Sequence, residues 1–600
     1  MTESVKKNKE IRTNRYFWIA CIVLVLLQYG LCIHYGLKRQ YLFCDEVYSY
    51  GLANSTDKTF LHPGEDNTPL DEWVTGSYFE NYMNYNDDSF NYSAAYRNQE
   101  NDVHPPVYYM LLHTVCYFFK GAGYSAVPGI VLNLILLIFV DILLLYVAAY
   151  LLGNRWYGLM AAALWGVSSV GISNCMLIRM YLLQTLNVLL LTAVHVYILR
   201  HKKKMTVPYF ILLALAVMFG GLTHYYFYFY VAGLGLCVCI YLLYMRKVKQ
   251  MFAYGFSLVA GFGAAIAVFP ATIKHIFGYR GSYATDNLIG LSGHKFLYYI
   301  SYINRSYFAG LLPLIVLVAL VLIVARIVLS FVDIRISLVR KNDGLSYRVC
   351  THRRDIDADR AGCIESRSLL LAGVIVADAV LAFVGIQGSE LVNARYIYSA
   401  LPIVAVFMIW CMMKLVPVIT RKRCAVVTAV ICLALCAGSI AVKGVDWQYR
   451  GYSDWSTALE EMKGQDCIIL CHGDGKWNNV YAGMNVFSQM GRCRYVYEDD
   501  IDSIADLVKD CGDEIYVAVI NDPKIEKKKI HKMTEKIAEI TKYTKKSIEY
   551  RFEKSNFSLV FYYSSTMNNY YNSMIRDLSI TYSKYYFDTH IYLGFNYYLN

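Results

Sequence analysis

Two adjacent carboxylates, Asp45 and Glu46, stand in Tyr41-Leu-Phe-Cys-Asp-Glu-Val-Tyr-Ser-Tyr50, directly after the first apolar run of the chain. Carboxylates where a helix leaves a membrane are costly unless they are solvated or put to use. Their chemistry could be that of a general base, or of a ligand for a metal or a donor sugar. A solvated loop start would carry the same residues. Further along, Asp102-Val-His-Pro-Pro-Val-Tyr-Tyr109 sets Asp102 and His104 before a short apolar stretch whose helix N-terminus would favour a bound anion such as a lipid phosphate. Taken alone, His104 is better explained as a cap on the turn. Arg179, in Ile178-Arg-Met-Tyr181, and Arg395, in Asn393-Ala-Arg-Tyr396, supply fixed positive charge with planar donors suited to phosphate oxygens. A snorkelling anchor would look the same. His224, in Gly221-Leu-Thr-His-Tyr-Tyr226, lies at a similar depth, where a lone histidine is more often a satisfied structural group.

The elements that must position these residues are membrane helices. The chain has 600 residues, 56% of them hydrophobic, and a mean hydropathy of +0.34, more apolar content than a soluble enzyme of this length needs. Runs at 16–35, 130–152 and 311–332 each hold about 20 residues with at most one charge, the length of a spanning helix. The net charge of +11 comes mainly from clusters beside such runs, where it orients helices rather than binding nucleic acid. Placing Arg155, 200–204, 246–249, 335–367 and 421–423 on the cytoplasmic face predicts about eleven helices, near 16–36, 127–152, 157–173, 180–199, 207–221, 224–244, 252–273, 308–333, 368–386, 397–416 and 424–442. Lys6, Lys7, Lys9, Arg12 and Arg15 precede the first run with no cleavage site after it, so the N-terminus (1–15) is expected in the cytoplasm as part of a retained anchor.

For this sidedness to hold, residues 105–119 must not cross. They are expected as an interfacial helix with Pro105 or Pro106 in its first turn and its aromatic residues at headgroup depth. The loop 37–126, the turn 174–181, the loop 274–307 and the stretch 385–395 then gather at the outer face. The expected fold is therefore mainly α and polytopic, with a long first outer loop.

In this order, Asp45-Glu46, His104-Pro-Pro106, Arg179-Met-Tyr181, Thr223-His-Tyr225 and Arg395-Tyr396 before Pro402 resemble the GT-C glycosyltransferases, and within them the branch of protein O-mannosyltransferases and the aminoarabinose transferase of lipid A. The resemblance covers roughly 16–442 and rests on ordered short motifs. It implies a GT-C-type bundle that moves a sugar, with inversion, from a polyprenyl-phosphate donor to a glycan, lipid or protein acceptor at the outer membrane face. It also implies Asp45 as catalytic base and Glu46 in support. Arg179, Arg395, His104 and Asp102 would act around the donor phosphate, with Tyr181, His224 and Tyr396 beside them. A divalent cation could join if Asp, Glu and His converge. The Tyr-, Asn- and Asp-rich segment 78–101 and the charged loop 334–367 depart from what such an enzyme needs. A transporter or flippase of a polar or lipid-linked substrate is the alternative, since intramembrane charges also mark transport paths. A third reading is an envelope assembly or sensor protein whose outer domain binds.

After the last span, residues 443–563 alternate short apolar runs (467–470, 494–497, 515–520, 559–563) with polar helix-like stretches such as 500–509, which predicts a small extracytoplasmic α/β domain. His472-Gly-Asp-Gly475 is best explained as a tight turn. Of 17 cysteines, only Cys467, Cys471, Cys493 and Cys511 fall in this tail, with no zinc spacing, so a disulfide there is open. The Tyr/Asn-rich end, 564–600, has no clean period.

Overall fold

The computed structural model describes residues 3–39, 42–61, 72–85, 90–121, 125–200, 205–341, 344–353, 366–389, 392–420, 422–448, 460, 462–471, 481, 483–511, 514–520, 527–541, 544–546 and 557–563. The turn expected at 472–475 and the Tyr/Asn-rich end lie outside the described residues. The chain divides into two compact units, one of residues 1–39, 87–119 and 126–448, the other of residues 40–86, 120–125 and 449–600.

The first unit is a polytopic helical bundle. Among the described residues, eight helices are long and apolar enough to cross a membrane: α1 (Glu3–Leu37, through its part Asn14–Leu37), α6 (Val127–Leu151), α9 (Tyr181–Arg200), α11 (Phe227–Tyr244), α12 (Val248–Val268), α17 (Ser366–Gln387), α18 (Leu401–Ile419) and α19 (Cys424–Lys443). Two bent pairs raise the number to ten if each is one span. They are α7 (Arg155–Gly166) with α8 (Ser169–Met176), bent by 59°, and α15 (Gly293–Phe308) with α16 (Leu312–Phe331), bent by 79°. With the shorter α10 (Val207–Gly221), these fill every place in the predicted order of about eleven. The expected straight span at 157–173 is instead the broken pair α7–α8.

What faces outward differs sharply between helices. On α16, Leu314, Leu317, Val321, Val324 and Val328 are all exposed. A stripe of that size is stable only against hydrocarbon, because in water it would forfeit about 25 cal/mol per Å² of burial. In α9, by contrast, 78% of the apolar window is buried. Its polar side chains are matched across helices: Thr185 accepts from Asn174 (3.1 Å), Asn187 donates to Thr223 (2.9 Å), and His195 meets the Tyr254 hydroxyl (2.9 Å). Such bonds hold helices together where apolar packing gives no preference over lipid.

Among the described residues of this unit, four further helices are shorter than a spanning helix: α4 (Tyr92–Asn101), α5 (Val107–Tyr117), α13 (Ala271–Phe277) and α14 (Tyr279–Ile289). At 11 residues, α5 is about 16 Å long, roughly half the hydrocarbon thickness. Pro106 is its N-cap, and Tyr108 and Tyr109 are fully buried against the protein. His113 is also buried and accepts the Asn91 N–H at 3.0 Å. Tyr108, Tyr109 and His113 therefore pack inside the protein, while Tyr117 is partly exposed and Phe118, at the end of α5, is exposed. Between α16 and α17, in the charged loop, strands β2 (Val332–Lys341) and β3 (Gly344–Arg353) pair as an antiparallel hairpin. Asn342-Asp343-Gly344 between two alternating runs is the signal that could have predicted it.

The second unit is an α/β fold built on a six-stranded sheet, order β1-β5-β4-β6-β8-β7. Strands β4 (Asp466–Cys471), β5 (Arg492–Tyr497), β6 (Glu514–Ile520) and β8 (Phe557–Tyr563) lie on the four predicted apolar runs. β4 is central and parallel to both β5 and β6; β7 (Thr544–Lys546) and β8 are antiparallel additions. Ile468, Leu470, Val496, Ile515 and Val517 pack on Ile501, Ile504 and Val508 and on Met533 and Ile537 of the helix Lys527–Thr541. At 500–509 the chain makes successive short helical turns rather than one helix. The first loop contributes β1 (Val74–Thr75), antiparallel to β5, with α2 (Cys44–Asn54) and α3 (Gly76–Met83) in the same unit. Tyr48 stacks on Tyr481 at 3.8 Å, and the Tyr481 hydroxyl accepts the Leu61 N–H at 2.7 Å. Cys467, Cys493 and Cys511 carry free thiols.

Candidate functional site

Seven of the residues singled out from sequence come together in the helical unit. Asp102 ends α4, its backbone N–H bonded to the carbonyls of Asn98 and Gln99. Its Oδ2 accepts from His104 Nδ1 at 2.8 Å. Burial pushes the Asp102 carboxyl up, but the bonded His104 ring, the Arg179 guanidinium and the Val103 N–H outweigh it and hold the group below its ordinary value. His104 lies 6.2 Å from the His224 ring, and His224 lies 5.6 Å from Tyr181 and 4.9 Å from Tyr226. Tyr181 meets Tyr396 edge-on at 6.2 Å. Arg179 Nη1 donates to the Tyr109 hydroxyl at 3.1 Å, and Arg395 Nη2 donates to the Tyr396 hydroxyl at 3.1 Å. Both arginines are buried, at 6% and 7% exposure.

Electrostatics assigns His224 a definite form. Burial, and then the positive charge of His104, Arg179 and Arg395, drives its pKa well below the ordinary histidine value. Its Nδ1 accepts the Tyr226 N–H at 3.1 Å, so the neutral ring carries its proton on Nε2. The cluster therefore holds two guanidiniums and one neutral imidazole, with His104 bonded to the Asp102 carboxylate. Buried guanidiniums suit an anion.

The members sit at helix ends or in the turns between helices. Arg179 lies in the gap between α8 and α9, and His224 in the turn between α10 and α11. Arg395 lies in a 3₁₀ turn, Ala394–Ile397, begun by Asn393, whose side chain accepts the Arg395 N–H at 3.2 Å. Helix α15 holds that turn: Tyr299 donates to the Asn393 carbonyl (2.8 Å), and Lys295 Nζ to the carbonyls of Gln387 (2.9 Å) and Ser389 (2.7 Å). Gly385 is required beneath it, since a Cβ there would lie 2.4 Å from the Tyr396 carbonyl oxygen.

The acidic pair belongs to the other unit. Both carboxylates stand in the first turn of α2, where negative charge complements the helix dipole. Glu46 is fully buried, and its Oε2 accepts the Phe43 N–H at 2.7 Å, a capping role. Asp45 is partly exposed, beside the Cys44 thiol at 3.9 Å.

Sequence reasoning missed Tyr109, the partner of Arg179, because it was assigned to headgroup depth. It also missed His275, which meets the Tyr225 hydroxyl at 2.8 Å within electrostatic range of Asp102 and His104. Among the described residues, no group of three or more His, Cys, Asp or Glu is arranged to hold a metal ion.

No known family's sequence pattern matches the chain, and no curated protein matches it by sequence. Among solved structures, the chain is similar to ArnT from Cupriavidus metallidurans bound to undecaprenyl phosphate (12% identity, TM-score 0.46, covering 91% of this chain and 98% of that one). It is also similar to the oligosaccharyltransferase AglB from Archaeoglobus fulgidus in complex with an inhibitory peptide and a dolichol-phosphate (10% identity, TM-score 0.43, covering 93% and 75%). A structure of the Archaeoglobus fulgidus oligosaccharyltransferase in complex with Zn and sulfate matches at 11% identity and TM-score 0.44, covering 90% of this chain and 73% of that one.

Proposed function

We propose that the chain is a membrane glycosyltransferase that moves a sugar from a polyprenyl-phosphate donor to an acceptor hydroxyl or amide at the outer face, with the N-terminus in the cytoplasm. The observation that carries this reading is the pair of buried guanidiniums, Arg179 and Arg395, gathered with Asp102, His104 and neutral His224 at helix ends. A sugar phosphodiester carries one negative charge. When the anomeric C–O bond breaks, the electron pair stays on the phosphate, which then approaches two negative charges. A site with two fixed guanidinium charges interacts more strongly with the departing phosphate than with the bound donor, and that difference lowers the barrier. Tyr181 and Tyr396 flank the phosphate, and His224 Nε2–H is a neutral donor to it.

In the same displacement the acceptor atom bonds to the anomeric carbon from the opposite side, inverting it, and its proton passes to a carboxylate base, the role that the resemblance of the ordered motifs gives to Asp45. The partly exposed Asp45 fits that role better than Glu46, whose oxygen is engaged in capping. The test incubates purified protein with a panel of radiolabelled polyprenyl-phosphate sugars and follows the label. Transfer that survives Asp45→Ala at full rate would refute the mechanism, and a panel in which no label moves would refute the activity.

A further inference from the structure

The four-residue gap between α8 and α9, Leu177 to Met180, presents Arg179, and the carbonyls at the end of α8 have lost their helical partners there. Two side chains from elsewhere in the chain supply the missing donors. Asn133, fully buried in α6, gives both hydrogens of its Nδ2: one to the Cys175 carbonyl at 2.8 Å, one to the Leu177 carbonyl at 2.8 Å. Arg39, buried just beyond α1, donates through Nη1 to the Met176 carbonyl, where its charge also complements the negative end of α8. Leu177 O further accepts the Arg179 N–H at 2.9 Å, a tight turn that sets the direction in which Arg179 leaves the chain. Close packing fixes the same segment from α6: a Cβ at Gly129 would lie 2.3 Å from Ile178.

Asn133 Oδ1 is buried and has no hydrogen-bond partner among the described residues. A buried amide oxygen left unmatched is unfavourable, so the amide is kept for the two carbonyls that its Nδ2 serves. The orientation of the amide follows from its two carbonyl neighbours, which can only accept.

We propose that Asn133, together with Arg39, is a positioning residue for Arg179: their donors hold the α8–α9 break open so that the guanidinium is aimed at the donor phosphate. This inference rests on the phosphate-binding role given to Arg179. Nothing in it requires Asn133 to touch the substrate.

The experiment uses the full chain in lipid nanodiscs, with labelled undecaprenyl phosphate as the probe. Affinity is measured for the natural protein and for Arg179→Ala, Asn133→Ala and the double variant. Arg179→Ala is expected to weaken binding at least about tenfold, the loss of a charge-assisted contact. Asn133→Ala should weaken it comparably, and the double variant should bind no more weakly than Arg179→Ala, because the amide acts only through the arginine. A role limited to stability would leave the affinity of folded Asn133→Ala unchanged or make the two losses multiply, and either result overturns the inference. Should Asn133→Ala fail to fold, Asn133→Ser, which keeps one donor, and Arg39→Gln decide it by the same comparison with Arg179→Ala. If Arg179→Ala binds the probe as the natural protein does, the phosphate reading itself fails, a result distinct from failure of the Asn133 variants alone.

Discussion

In the helical unit, Arg179 bonds to Tyr109 and its segment is held by Asn133, while the turn that carries Arg395 is held by Tyr299 and Lys295, all side chains from distant parts of the chain. In the α/β unit, Glu46 is held by its own turn, three residues from the N–H it accepts. Long-range support costs chain entropy and many specific contacts, and it is worth that cost where a charge must be aimed. Local support needs only a helix start. The contrast separates Asp45 from its neighbour: adjacent carboxylates of the same chemistry have different tasks because one points back into the cap and the other does not.

Substitutions test this contrast directly. Asp45→Asn, which preserves shape, should lower kcat for sugar transfer about 10³-fold if Asp45 is the base, measured with a polyprenyl-phosphate sugar donor and matched expression. Arg395→Ala should reduce kcat/KM about 10²-fold, the loss of one donor to a developing oxyanion; Arg395→Lys should recover only part, because the planar fork is lost. A smaller effect is expected for Glu46→Ala, which removes the bond to Phe43 N–H: about 1 kcal/mol of stability by thermal unfolding, with kcat of the folded protein within about threefold of normal. A Glu46→Ala variant as inactive as Asp45→Asn would erase the distinction.

The smallest expected effect concerns pH. His224 has a folded pKa well below its ordinary value, so the folded form stays neutral where the unfolded chain binds a proton. Its contribution to stability is complete above about pH 6.5 and is lost as pH falls from there toward the folded pKa. Thermal unfolding followed from pH 7.5 to 5 should therefore show a shallower decline for His224→Gln than for the natural protein. Equal slopes would mean that His224 is protonated within the fold.

Hydropathy and charge bias are local properties of the sequence, so the spans, their order and the strands of the tail were legible in it. Periodicity located apolar stretches at 467–470 and 515–520 because a buried parallel strand must be apolar on both faces. The bends at α7–α8 and α15–α16 were not legible, since each half is apolar and only packing against neighbours decides where a helix turns. Nor was the inward face of α5: Tyr108 and Tyr109 suit a membrane interface as well as a protein interior, and their partners lie far away in the chain.

The sequence by itself determined a polytopic bundle with an α/β tail, and it named seven residues of one polar cluster through motifs at helix ends. Only the tertiary structure decided that those seven meet, that Tyr109 joins them, that residues 40–86 fold with the tail, and that Asn133 and Arg39 close the break beside Arg179. The physical reason is that residue type sets what a group can bond, whereas burial and long-range pairing set which bonds it makes.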